Sequence, residues 1–146
     1  MTTATEAARI HGCKETDCAW ADYDTIVSSF GTVEYQSSVG DYQGDYLYLL
    51  RYGHERYGDA KWGVLTVGYG SCSGCDQAEA CQSWEDVAQL VDQLREQIIW
   101  GTRDETLAYV TSDARRLEYY TDDEDARRHW YVCKAILEPL PAVEEV

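Results

Sequence analysis

Between Gly68 and Asp76 the hydrophobic period of this chain changes, and that change constrains the fold more than anything else in the sequence. Before it, residues 46–52 and 62–69 run as short apolar, β-branched and aromatic segments bounded by glycine-rich turns, the pattern of strands. After it, Val87, Leu90, Val91, Leu94, Ile98 and Ile99 recur at three- and four-residue steps, the pattern of one helix face. A single switch from strands to helices argues for an α+β domain rather than alternating βαβ units.

The strand set has three members, residues 32–36, 46–52 and 62–69, joined by the turns 40–45 and 53–61. Such short connections make an antiparallel meander the simplest topology. Short helices precede it: residues 5–10, stopped by Gly12, and 22–30, capped by an aspartate and carrying Ile26, Val27 and Phe30 inward. Ser83 caps the helix after the junction, with acids in its first turn, and Gly101 ends it. Thr102 caps a shorter helix with Leu107 and Val110 on its apolar side. Residues 115–121 fit a strand or an ordered loop. A last helix starts at the acids 122–125, buries Ala126, Trp130, Cys133, Ile136 and Leu137, and stops at Pro139 and Pro141. The expected fold is a two-layer α+β domain, with a three-stranded meander packed against three to four helices. One domain spans 1–146, with a loosely packed lead-in over 1–21 and a frayed tail over 142–146.

Charge bounds the partners. Acids outnumber Lys and Arg by 27 to 12, a net charge of -15, which opposes direct binding to nucleic acid or an anionic membrane. Such acidity serves solubility, salt adaptation or docking on a basic protein, and the last two are the sharper readings. No apolar stretch reaches the roughly 20 residues needed to cross a bilayer, and no secretory signal is visible at the N-terminus. The expected location is the cytoplasm, where the six cysteines are thiols or metal ligands rather than disulfides. Twelve tyrosines and five tryptophans stand against one phenylalanine. Tyrosine tolerates a half-wet position, so these rings suit strand edges and helix rims, and some of them a contact surface.

The junction itself reads Gly68-Tyr69-Gly70-Ser71-Cys72-Ser73-Gly74-Cys75-Asp76. Its plainest reading is a tight strand-to-helix turn. Two thiolates three residues apart also fit one zinc tetrahedron when the turn between them is tight. Cys72 and Cys75 supply two ligands, Cys81 a third and Cys13 a fourth, with Cys18 or His11 as alternatives and Cys133 or His129 more remote ones. An iron–sulfur cluster uses the same residues less readily. A cysteine at a helix start is also the arrangement that activates thiols, although Asp76 opposes the thiolate of Cys75 by like-charge repulsion. Cys133 lies on an apolar stripe and reads as core. GxGxxxG spacing departs from the dinucleotide fingerprint, and no Ser-His-Asp order, HExxH or calcium-loop pattern occurs.

The segment from Gly40-Asp41-Tyr42-Gln43-Gly44-Asp45 to Tyr69-Gly70-Ser71-Cys72-Ser73-Gly74-Cys75-Asp76 resembles small acidic proteins of bacteriophages and actinobacterial genomes. The similarity covers roughly residues 39–81. It implies a phage or prophage setting, a host-cytoplasm location and Cys72 and Cys75 as the pair to watch. No activity comes with it, and the N-terminal cysteines Cys13 and Cys18 lie outside it. The expected function is therefore that of a non-enzymatic accessory protein. It binds a basic host protein through an acidic, tyrosine-rich surface, with zinc as a structural addition. The alternative is a thiol-dependent enzyme working through Cys72 and Cys75.

Overall fold

A computed structural model describes residues 1–13, 19–40, 44–53, 60–70, 76–112 and 124–138. The strands are β1 (Thr32–Gly40), β2 (Gly44–Tyr52), β3 (Lys61–Tyr69) and β4 (Ile99–Gly101), and the helices are α1 (Ala4–Ile10), α2 (Tyr23–Ser28), α3 (Trp84–Gln97), α4 (Arg103–Thr111) and α5 (Glu124–Leu137). All neighbouring strands are antiparallel in the order β1-β2-β3-β4. The meander is as expected, with one strand more.

That fourth strand comes from the end of the stripe the sequence assigns to a helix. Helix α3 stops at Gln97, Ile98 is extended at φ -69 and ψ 128, and Ile99 to Gly101 pair with Val64 to Trp62. Two β-branched residues and a tryptophan favour a pleated edge over a fifth helical turn. Ile98 still packs into the core, whereas Ile99 is exposed.

Helices cover both faces of the sheet, so the two-layer expectation is corrected to three layers. Tyr48, Leu50, Leu65 and Val67 point to one face and pack with Ala7, Ala8, Ile26, Val27, Val87, Val91 and Leu94 of α1, α2 and α3. Leu47, Leu49, Trp62 and Val64 point to the other and pack with Val110, Ala126, Trp130, Cys133 and Leu137 of α4 and α5. The signal lies in β2 itself. Tyr46-Leu47-Tyr48-Leu49-Leu50 does not alternate with polar residues, because a central strand covered on both faces has no wet side. Strand β1 shares its residues between the faces through a register shift between Val33 and Tyr35. Glu34 is the extra residue there, and it is held by the Arg51 guanidinium at 2.7 Å.

Caps read from the sequence hold in detail. Ser83 accepts from the Asp86 N–H, Asp22 from that of Thr25, and Thr102 forms a reciprocal capping box with Glu105. Part of the N-terminal lead-in packs on the helix layer. Ala7 and Ala8 are buried against α3, and the Thr2 N–H and hydroxyl donate to the Asp92 carboxylate at 2.7 to 3.0 Å. Those bonds hold the Asp92 carboxyl below the usual carboxylate range. The tail 142–146 and segment 115–121 lie outside the described residues.

Candidate functional site

Cys72 and Cys75 lie outside the described residues, but both ends of their turn are described. One buried carboxylate ties those ends together. Asp76 Oδ2 accepts the Gly70 N–H at 3.1 Å, and Oδ1 accepts the Ala78 N–H at 2.9 Å and the Tyr23 hydroxyl at 2.6 Å. The Ala78 N–H is shared with the Tyr23 oxygen at 3.0 Å. A carboxylate can be buried this way because each oxygen finds a donor. Asp76 therefore links Gly70 at the end of β3 to Ala78 on the other side of 71–75.

Tyrosines build the floor beneath it. Tyr46 and Tyr69 are cross-strand neighbours on the α1–α3 face and stack with centroids 4.3 Å apart, with the Tyr23 ring 5.7 Å from Tyr46. Tyr48 donates to Asp24 at 2.6 Å. Burial, then the bond to a carboxylate, pushes the Tyr23 and Tyr48 phenols far above their ordinary value, so both act as fixed hydrogen-bond donors. Among the described tyrosines only Tyr52 and Tyr131 are exposed. The other described tyrosines are buried or half-buried in the core and its rims.

The other proposed ligands are placed as follows. Cys13 and Cys81 are half-buried free thiols against the same core cluster. Cys13 Sγ accepts the Trp20 indole N–H at 3.0 Å, and Cys81 donates to the Gln77 carbonyl at 3.3 Å. Burial, aided by Asp86 and Asp76, pushes the Cys81 thiol up. His11 has both ring nitrogens engaged. Its Nε2 accepts the Asp22 N–H at 3.2 Å, so Nδ1 carries the proton and donates to the Ala7 carbonyl at 2.9 Å. A metal on His11 would have to displace one of these. Cys18 is not among the described residues, and no group of three His, Cys, Asp or Glu suited to a metal occurs among those that are.

A Ser–His–Cys line in the second core was not legible in the sequence, because Ser37 and His129 are 92 residues apart. Ser37 Oγ is hydrogen-bonded to His129 Nδ1, and Cys133 Sγ lies 3.3 Å from His129 Nε2, one helical turn away. The pairing has the connectivity of a nucleophile, base and orienting group. Its electrostatics are those of a core. Burial pushes the Cys133 thiol up to about 12 and the His129 imidazole down to about 4, so both groups are neutral at pH 7. His129 is 1% exposed and Cys133 is fully buried.

Among the described residues, exposed charge is divided unevenly between the layers. On the α1–α3 layer the exposed charges are Glu6, Asp22, Asp24, Glu79, Glu85 and Glu96 against Arg9 and Arg95. On the α4–α5 layer Arg127, Arg128 and Lys134 stand beside Asp104, Glu105, Glu124, Asp125 and Glu138. There, Arg128 pairs with Glu124 and Asp125, and Lys134 with Glu138, at 3.1 to 3.9 Å.

No protein-family model, curated protein or solved structure matches this chain.

Proposed function

We propose that this chain is a non-enzymatic accessory protein that docks on a basic host protein through the outer face of its α1–α3 layer. The observation that carries this reading is the charge asymmetry between the layers. Among the described residues the acidic excess is larger on the α1–α3 layer, where six exposed acids face Arg9 and Arg95 and Arg95 already contacts Asp92, whereas on the α5 side Arg128 and Lys134 pair with Glu124, Asp125 and Glu138; an excess serving solubility alone would be shared evenly. Trp20, 44% exposed beside that layer, offers the aromatic anchor that such interfaces favour. A phage origin and a host-cytoplasm location rest on the resemblance of the junction motif.

A zinc ion on Cys72, Cys75 and two further thiols would serve such a protein as a pin between sheet and helices. Metal content after chelator-free purification decides it: near one equivalent supports the pin, and well under one removes it. The competing reading is thiol chemistry at Cys72 or Cys75. The described cysteines give it no support, since Cys81 and Cys133 are both shifted toward the inert thiol.

Photo-crosslinking from the α3 surface tests the docking face. A photoreactive residue replacing Glu85 or Glu96 is expected to capture one host protein at about 0.05 M salt and to lose it at about 0.5 M. The same group in place of Arg127 on α5 is expected to capture none. Equal capture from both layers, or adducts indifferent to salt, would refute the proposal.

A further inference from the structure

We propose a second site, independent of the acidic face: a cleft that binds a small planar aromatic ligand carrying one negative charge. It lies where the end of the β2–β3 hairpin meets the C-terminal end of α3, and encloses about 340 Å³, the lower range of small-molecule pockets. Phe30 and Ile98 form its buried floor, Tyr52 and Trp100 its exposed walls, and Lys61 and Arg95 its cations.

Three observations set the ligand class. The Trp100 wall is built in place. A Cβ on Gly63 would come within 2.8 Å of Ile98 and 2.9 Å of the Trp100 ring, so the missing side chain is what lets the indole lie against the sheet. Tyr52 is 62% and Trp100 36% exposed, two large rings left facing water around an apolar floor, which suits a flat aromatic partner. The charge of the cleft is opposite to that of the molecule as a whole. Arg95 is partly occupied: it lies over the Phe30 ring at 5.2 Å, contacts Asp92 at 3.4 Å and offsets the carbonyl end of α3. Lys61 is exposed and makes no ion pair among the described residues. On a chain of net charge -15, an anion is repelled from most of the surface and has a cation to meet here. Lys61 would hold the acid group and the two rings would take the aromatic body.

The probes are 2-naphthoate and its uncharged amide, 2-naphthamide, titrated into the isotopically labelled full chain and followed by amide and indole NMR shifts. Saturable shifts are expected at residues 52, 61, 95, 98 and 100. The carboxylate is expected to bind at least about fivefold more tightly than the amide, with the preference weakening as salt rises. Lys61→Met is expected to bring the two probes to equal affinity while leaving the fold intact, since Lys61 is exposed. Trp100→Ala is expected to weaken both. Equal affinity for the two probes in the unmodified chain, an unchanged preference in Lys61→Met, or shifts that map to other residues would each overturn the proposal.

Discussion

Asp76 bridges the described residues on either side of 71–75. Its oxygens gather the last N–H before the turn, an N–H after it and a phenol from α2. Asp76→Asn places an amide N–H₂ where one of those donors now points, so a buried bond is replaced by a donor–donor clash. The expected loss is about 2 to 4 kcal/mol in chemical denaturation. Tyr23→Phe, which removes the bond to Asp76 and the Tyr23 share of the Ala78 N–H but leaves the carboxylate its backbone donors, is expected to cost about 1 kcal/mol. The junction was legible as the switch from strands to helices because glycines and a change of period mark it. The role of Asp76 was not, because Tyr23 lies 53 residues away and no local pattern joins them. His129 follows the same rule: it stands between Ala126, Trp130 and Cys133 on the buried stripe of α5, and its Ser37 partner is on another element. Its folded value of about 4 lies below the ordinary 6.5, so the folded state holds fewer protons there than the unfolded chain. The neutral imidazole therefore contributes stability above pH 6.5, which is lost as pH falls from 6.5 through 4. The size is about 3 kcal/mol for a shift of this extent on a group with almost no solvent contact. Urea midpoints of the wild type and His129→Gln across that window should converge as the pH falls, and parallel curves would contradict the assignment.

At the scale of the elements, the sheet is legible from turn residues and the helix starts from their capping serine, threonine and aspartate. What sequence patterns leave open is which face each element covers. Strands β2 and β3 are apolar on both sides, and only the sorting of Leu47 and Leu49 from Tyr48 and Leu50 between two core clusters reveals a helix layer on each. The end of α3 is the other case, where an apolar stripe continues through Ile98 while the backbone has already turned into β4. That switch hinges on Gly63. Gly63→Ala drives a methyl group to within 2.8 Å of the Ile98 side chain and 2.9 Å of the Trp100 ring, so one or both must shift. The expected cost is about 1 to 3 kcal/mol. A second readout is faster amide exchange at residues 99–101, with β1 and β2 unaffected. Unchanged exchange at β4 would show that the indole is not seated on this glycine.

For the molecule as a whole, net charge is legible and its distribution is not. Counting acids gives -15. Only the fold shows that, among the described residues, the acids on the α5 side pair locally while the exposed acids of the α1–α3 layer outnumber its bases. The placing of the aromatic rings follows the same rule: most described tyrosines are buried or half-buried, leaving Trp20, Tyr52, Trp100 and Tyr131 as the exposed large aromatics among the described residues. The central claim, that the α1–α3 layer is an electrostatic docking face, is tested most directly by the affinity for the crosslinked host protein as a function of ionic strength. The wild type is compared with a variant carrying Glu79→Gln, Glu85→Gln and Glu96→Gln, and with a control neutralised at Glu124, Asp125 and Glu138 on α5. The account predicts that affinity of the wild type falls steeply with salt, that the α3-face variant binds at least about tenfold more weakly at low salt with a shallower salt slope, and that the α5 control matches the wild type. Equal affinities for all three proteins, or a loss confined to the α5 control, would contradict it.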